Sequence, residues 1–289
     1  MANRLTLTEC PRDAMQGIGD WIPTELKTRY LQALLAVGFD RLDFGSFVSP
    51  KAVPQLKDTA AVLAGLDTSQ SATALLAIVV NLRGAQEASR FKEIAYLGYP
   101  FSISETFEQR NTRKSIAQSV EVVKQIQELC VREGKELLLY LSMAFGNPYG
   151  DPWNVEIVEE WAEKMSKLGI KRLSLADTAG SADPAAIQYL YSNLIPRFPD
   201  LEWGAHFHSH PDKRQEKLQA AWDHGCSRFD SAMMGFGGCP FAHDDLVGNI
   251  ATESVLSFCE AQSIDLGLDM EAFAHAQSIA REVFLNTAQ

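Results

Sequence analysis

The chain has 289 residues, 46% of them hydrophobic, with 15 Phe and a formal net charge of −11. This length and apolar content suffice for one large α/β barrel or two ordinary domains with a sizeable core. The acidic balance argues against nucleic acid or an anionic membrane surface as a partner, and no run of 18 apolar residues offers a membrane span.

The opening residues, MANRLTLTEC, enter directly into a strand pattern with no secretory leader. The five cysteines, Cys10, Cys130, Cys226, Cys239 and Cys259, are odd in number and form no CxxC pair. They are therefore read as reduced thiols in a cytoplasmic protein, and all but Cys239 as inert core residues.

Short β-rich runs recur at 4–10, 41–47, 74–80, 93–99, 136–143, 171–176, 201–208 and 226–233. Most of the intervening segments have helical period. Thr24–Val37 follows Pro23, aligns Leu26, Tyr30, Leu34 and Val37 on one stripe, and stops at Gly38. Residues 154–168 set Val158, Trp161, Ala162, Met165 and Leu168 on one face and stop at Gly169. Asp183-Pro184 pairs an N-cap with proline at the first helical position. The third helix is squeezed into 84–91. Eight strands alternating with helices predict a (β/α)8 TIM barrel, with an open doubly wound sheet as the alternative. Residues 1–289 form one catalytic domain: 1–233 supply the barrel, and 234–289 a glycine-rich loop and additional C-terminal helices.

In such barrels the active site lies at the C-terminal ends of the strands, and the unusual polar residues gather there. The first run ends in Cys10-Pro11-Arg12-Asp13, the second contains Asp43 and ends in Ser46, and the third ends in Asn81. The sixth ends in Asp177-Thr178 and the seventh in His206-Phe207-His208. Residues two apart on a strand point the same way, so His206 and His208 present two imidazoles side by side, a half-built metal site or else two ordinary histidines of an alternating strand. Asp13 adds a hard oxygen, and a mixed nitrogen and oxygen set suits Mg, Mn, Fe or Zn. Arg12 is either a salt bridge or a planar fork for a carboxylate, thioester oxygen or enolate. Asp177 could equally cap the next helix, and Asn81 could close a turn. The three glycines of Gly235-Phe236-Gly237-Gly238 permit positive φ and close backbone approach, and they suggest a flap carrying Cys239; as a phosphate cradle the loop lacks a following Lys-Ser/Thr.

These residues resemble the 3-hydroxy-3-methylglutaryl-CoA lyase family of divalent-metal TIM-barrel lyases. The matching stretches are Pro11-Arg12-Asp13-Ala14-Met15-Gln16, Ser46-Phe47-Val48-Ser49-Pro50-Lys51 with Val53-Pro54-Gln55, Asn81-Leu82, Asp177-Thr178, His206-Phe207-His208, Gly235-Phe236-Gly237-Gly238-Cys239-Pro240, and Gly248-Asn249 with Thr252-Glu253. The resemblance implies that Asp13, His206, His208 and Asn249 hold Mg2+ or Mn2+. It further implies that Arg12 steadies the developing enolate with Asp43 behind it, that Cys239 transfers a proton, and that Glu253 is a supporting acid. The implied reaction cleaves hydroxymethylglutaryl-CoA to acetyl-CoA and acetoacetate, with His206 or Asp13 as the base. Alternatives are a related acyl-CoA lyase or aldolase with another acyl group, a Claisen-type synthase, or a non-catalytic barrel. An acyl-CoA would be the small-molecule partner, with Lys51 and Arg83 as candidates for its phosphates, and a homo-oligomer is left open. The chain departs from the family at Ala14-Met15, at Asn147-Pro148-Tyr149-Gly150-Asp151, at Ser209 after the histidine pair, and by one extra residue between Cys239 and Asn249.

Overall fold

In the computed structural model, which describes residues 4–238 and 247–285, the eight predicted runs form one closed parallel barrel in the order β1 to β8. The strands are β1 (Thr6–Glu9), β2 (Arg41–Ser46), β3 (Ala74–Ile78), β4 (Ile94–Ser102), β5 (Glu136–Ser142), β6 (Arg172–Asp177), β7 (Glu202–Phe207) and β8 (Arg228–Ser231). β8 pairs back to β1, Thr6 opposite Arg228 and Glu9 opposite Ser231. That pairing removes the open-sheet alternative, because closure leaves no edge strand. β4 continues past the expected stop at Tyr99: the ladder to β5 carries on through Pro100, Phe101 and Ser102. Pro100 is a strand-breaking signal by sequence, but here it keeps its place in the ladder and its ring lines the barrel mouth.

The helices are α1 (Pro11–Gln16), α2 (Thr24–Val37), α3 (Thr59–Ala64), α4 (Leu82–Ala88), α5 (Glu105–Thr112), α6 (Ile116–Glu133), α7 (Val155–Lys167), α8 (Pro184–Arg197) and α9 (Arg214–Asp223), followed by α10 (Thr252–Ala261) and α11 (Met270–Leu285). The squeezed helix is α4, made viable by Asn81, whose side-chain oxygen accepts from Gly84 N at 2.9 Å. α7 buries Val158, Ala162 and Met165, each apolar side chain of this size contributing about 1–3 kcal/mol once removed from water. α11 lies on α2, where Phe284 meets Tyr30 edge-on at 5.8 Å. No helix among the described residues is long and apolar enough to cross a membrane.

The barrel interior below the mouth carries a buried charged cluster beside the apolar side chains of Leu76 and Leu138. Arg228 lies across Gly204, where a Cβ would sit 2.1 Å from the guanidinium, so only glycine admits it. Its Nη1 pairs with Asp230 at 3.2 Å and its Nε with Glu202 at 3.0 Å. Glu202 is also paired with Arg41 at 2.7 Å and Arg172 at 3.1 Å. The outcome that matters for the site is an Asp230 carboxylate fixed beneath His206.

Glu9 ends β1 in full burial, accepting from Met233 N at 2.7 Å and from the Thr252 hydroxyl. Burial pushes its carboxyl up to about 8, with the Glu253 charge adding to the rise and the two hydrogen bonds opposing it. Between the ordinary carboxylate range and about pH 8 the folded chain therefore keeps a proton that the unfolded chain has lost, and stability falls as pH rises through that window. Glu9→Gln keeps the shape and cannot ionise. Its melting temperature is expected to fall less than that of the wild type between pH 5 and 8, and parallel profiles from a thermal-melt series would refute a protonated Glu9.

Candidate active site

The site starts where β1 turns into α1. Pro11 occupies the first helical position, where no N–H is required, and the turn sets Arg12 and Asp13 side by side over the barrel mouth. Both are buried. Arg12 spreads its guanidinium over three partners. Nη2 and Nε donate to Asp43 Oδ2 at 2.6 and 3.0 Å, and Nη1 donates to Asp13 Oδ1 at 3.0 Å and to Gln16 Oε1 at 2.8 Å. Four of the five guanidinium N–H groups are thus engaged among the described residues, and one on Nη2 is left over. Asp43, on β2, is wholly buried; burial raises its carboxyl to about 6 even against the charge of Arg12.

Asp13 is the hub. Oδ1 accepts from Arg12 and from Gln16 Nε2 at 2.9 Å, while Oδ2 accepts from Asn249 Nδ2 at 2.7 Å and faces His208 Nε2 at 3.9 Å. Burial alone would raise its carboxyl, but the charges of Arg12, His206 and His208 and the Asn249 bond together hold it down to about 2. Asn249 reaches this point because residue 249 forms an antiparallel bridge with His208. Its two amide protons go to Asp13 and to Phe236 O at 2.9 Å, which leaves Oδ1 as its remaining ligand atom. Gly237, at φ +104°, is required here: a Cβ would lie 2.5 Å from Asn249 Nδ2.

His206 and His208 stand as the period-two argument places them, ring centres 5.3 Å apart. Each is oriented from behind. His206 Nδ1 lies 3.2 Å from Asp230 Oδ2, and His208 Nδ1 lies 3.2 Å from Thr178 O. Burial would lower His206, but the bond and charge of Asp230 outweigh it and raise the imidazole, while burial and the neighbouring His206 lower His208. His208 Nε2 is buried with no hydrogen-bond partner. Ligand atoms of Asp13, His206 and His208 all lie within 4.8 Å of one another. An orphaned buried imidazole nitrogen, a carboxylate held ionised and two imidazoles oriented by carboxylate and carbonyl are what a divalent cation needs, so the residues present fit one. Cys10, His206 and Asp230 also cluster. That set is the poorer one, because Asp230 is already bound to Arg228 and burial among four carboxylates keeps the Cys10 thiol protonated.

The other expected residues fall in different places. Asp177 does not cap α8, whose N-cap is Asp183; it closes the turn before that helix, accepting from Ala182 N at 3.0 Å, and pairs with Lys217 at 2.7 Å. Glu253 does not line the mouth cavity; it holds Met234 N at 3.0 Å and Gln277 at 2.8 Å. Lys51 and Arg83 are exposed and line no part of that cavity. Cys239 lies outside the described residues, as does most of the stretch with the extra residue before Asn249. The variant 147–151 stretch acts as a clamp: Asp151 accepts from Ser104 Oγ at 2.5 Å, Thr106 N at 2.8 Å and Thr106 Oγ1 at 2.9 Å, fixing the start of α5. Phe107 of that helix then lines the cavity, stacked on Tyr149 at 6.4 Å.

Sequence reasoning missed Asp230 and Lys217, and it named Thr178 without the carbonyl that orients His208. Asp230 alternates with Arg228 on β8 and was findable as an inward-pointing charge. Lys217 carries no local signal. Its buried ammonium donates to Asp177 Oδ2, His208 O at 2.9 Å and Gly180 O at 3.2 Å, joining α9 to the backbone of His208 and to the segment that presents Thr178 O. Partners behind a metal ligand are typically worth 10–100-fold in affinity. Lys217→Met should accordingly weaken Mn2+ binding by about that factor, measured by electron paramagnetic resonance titration, and a variant that only melts earlier with unchanged Mn2+ affinity would make Lys217 a plain structural clip.

The HMGL-like family model matches residues 6–279. A Bacillus subtilis hydroxymethylglutaryl-CoA lyase is 32% identical over 94% of this chain and 91% of its own length. A Pseudomonas aeruginosa 3-hydroxy-3-isohexenylglutaryl-CoA/hydroxymethylglutaryl-CoA lyase is 33% identical over 92% and 88%. The solved structure of an HMG-CoA lyase from Acinetobacter baumannii with coenzyme A and 3-methylmalate superposes with a TM-score of 0.90 at 31% identity, covering 98% of this chain and 92% of that one. With its closed barrel and the Asp13, His206, His208 and Asn249 cluster at the mouth, the chain belongs to the HMGL-like family.

Proposed function

We propose that this chain is a divalent-metal-dependent carbon–carbon lyase that cleaves 3-hydroxy-3-methylglutaryl-CoA, or a close analogue, to acetyl-CoA and a keto acid. The observation that carries the reading is the convergence of Arg12, with one N–H to spare, on Asp13, His206 and His208 inside one cavity, with Asn249 bonded to Asp13 beside it. Asp13, His206, His208 and Asn249 would hold Mg2+ or Mn2+. The bound ion would polarise the substrate's tertiary hydroxyl and an adjacent oxygen, lowering the hydroxyl pKa. His206 and Asp13 are the candidates to take that proton. The C2–C3 electron pair passes to the thioester, and Arg12 faces the enolate oxygen with its remaining N–H. Cys239, by its place directly after the glycine-rich run, is assigned the proton delivered to C2. The hydroxyl proton lost and the C2 proton gained balance, and the two products sum to the substrate.

The names of the two curated relatives above span a methyl and an isohexenyl arm on the same glutaryl skeleton, so the arm is not fixed by family alone. The deciding experiment is acetyl-CoA release from hydroxymethylglutaryl-CoA in chelator-treated protein, with Mg2+ or Mn2+ then restored. Activity that appears only with metal supports the reading. Full activity without metal would overturn metal dependence, and condensation of acetyl-CoA with a keto acid as the only detectable turnover would point to a synthase instead.

A further inference from the structure

The mouth cavity has two unlike halves. Its β7–β1 side carries Asp13, His206, His208 and Arg12. Its other side, built by β2 to β4 and the segments after them, carries Val48, Val53, Ile78, Val80, Pro100 and Phe107, with the neutral polar side chains of Ser46 and Asn111 among them. In the closed barrel β3 stands across from β7, so Ile78 and Val80 lie across the mouth from His206 and His208, while Val48 and Val53, after β2, adjoin the β1 side that carries Arg12 and Asp13. Among the described residues, Arg12 is the sole lysine or arginine on the cavity wall, and Asp43, Asp13 and Gln16 already surround it. The buried polar atoms still lacking partners along the β2 and β5 walls are hydroxyls, Ser46 Oγ and Tyr140 OH. A hydroxyl can meet a neutral oxygen, but it does not offset a carboxylate taken out of water.

We propose, resting on the lyase reading above, that the substrate arm lodged against this wall is uncharged hydrocarbon of several carbons. The substrates would then be 3-hydroxyacyl-CoA thioesters whose C3 bears an alkyl chain longer than methyl. A methyl group would leave most of six apolar side chains facing water, whereas each further methylene covers more of them. Phe107 is part of a prepared surface, since Asp151 pins the start of its helix and Tyr149 backs its ring. The cleavage is the one already balanced: the hydroxyl-bearing carbon becomes a ketone carrying the alkyl arm, and C2 leaves as acetyl-CoA.

The test is a series of 3-hydroxyglutaryl-CoA thioesters with methyl, propyl, pentyl or 5-carboxypentyl at C3, assayed for acetyl-CoA with Mn2+. Burying a methylene is worth about fourfold in binding. The propyl arm should therefore raise kcat/KM roughly 15-fold over methyl, pentyl should raise it further until the wall is covered, and the carboxylated arm should fall below pentyl by at least tenfold. Val80→Trp, checked for folding by its melting temperature, should reverse the long-to-short preference. Phe107→Ala is the second variant and should shift the optimum to bulkier arms. A flat series, a methyl optimum or equal use of the carboxylated arm overturns the hydrocarbon-arm proposal while leaving the lyase intact. Absence of acetyl-CoA from every thioester overturns both.

Discussion

Arg12→Lys is expected to lower kcat by about 100–1000-fold with KM nearly unchanged, the loss found when one donor to a developing oxyanion is removed. Lysine keeps the positive charge between Asp13 and Asp43 but cannot reproduce the planar fork that grips Asp43 through Nη2 and Nε while Nη1 reaches Asp13. The ammonium will settle between the two carboxylates, and no N–H will then point to where the enolate oxygen forms. A purely structural Arg12 predicts something else. It would cost stability through Asp43, a buried carboxyl already raised to about 6, and kcat would recover once the variant was assayed well below its melting temperature. Asp43→Asn supplies the contrast, because it leaves Arg12 in place and removes only its backing, so it should lose less turnover than Arg12→Lys. Wild-type kcat in Arg12→Lys would leave the arginine as a salt bridge.

The parts of this site that could be read from the sequence are those governed by local geometry. Two histidines two apart on a strand must share a side, so His206 and His208 follow from the period alone. Cys10-Pro11 marks the strand-to-helix turn that delivers Arg12 and Asp13. Barrel closure was legible only as a count of eight runs, since nothing within β1 or β8 encodes that Glu9 lies beside Ser231. The supports behind the ligands were not legible, because each is a contact between distant segments: Lys217 meets Asp177 40 residues away, and Asn249 meets Asp13 236 residues away. The non-catalytic alternatives for Asn81 and Asp177 changed places: Asn81, expected to close a turn, caps α4, and Asp177, expected to cap a helix, holds Ala182 N in the turn before α8. The variant 147–151 stretch bears on the mouth cavity indirectly, through Asp151 and the placement of α5.

Cys239→Ala is expected to bind metal and fold normally yet lose about 100–10,000-fold in turnover, the usual worth of a positioned proton donor. The prediction rests on chain position, a thiol placed directly after Gly235-Phe236-Gly237-Gly238, and on the condition of the other four cysteines. Those are free and buried. Burial pushes the thiols of Cys130 and Cys226 up to about 12 and that of Cys259 to about 11, and it also raises Cys10, with help from neighbouring carboxylates. Since the thiolate is the nucleophile, all four should alkylate slowly near neutral pH. Brief treatment with iodoacetamide followed by peptide mapping should therefore find label first at Cys239, and bound substrate should slow it. The kinetics of Cys239→Ala then separate two roles. A proton donor lowers kcat and leaves Mn2+ affinity untouched, with Cys239→Ser recovering little because a hydroxyl is a far weaker acid than a thiol. A packing residue lets Cys239→Ser and Cys239→Ala turn over alike, near the wild-type rate. First labelling at another cysteine together with a fully active Cys239→Ala would remove the thiol from the reaction.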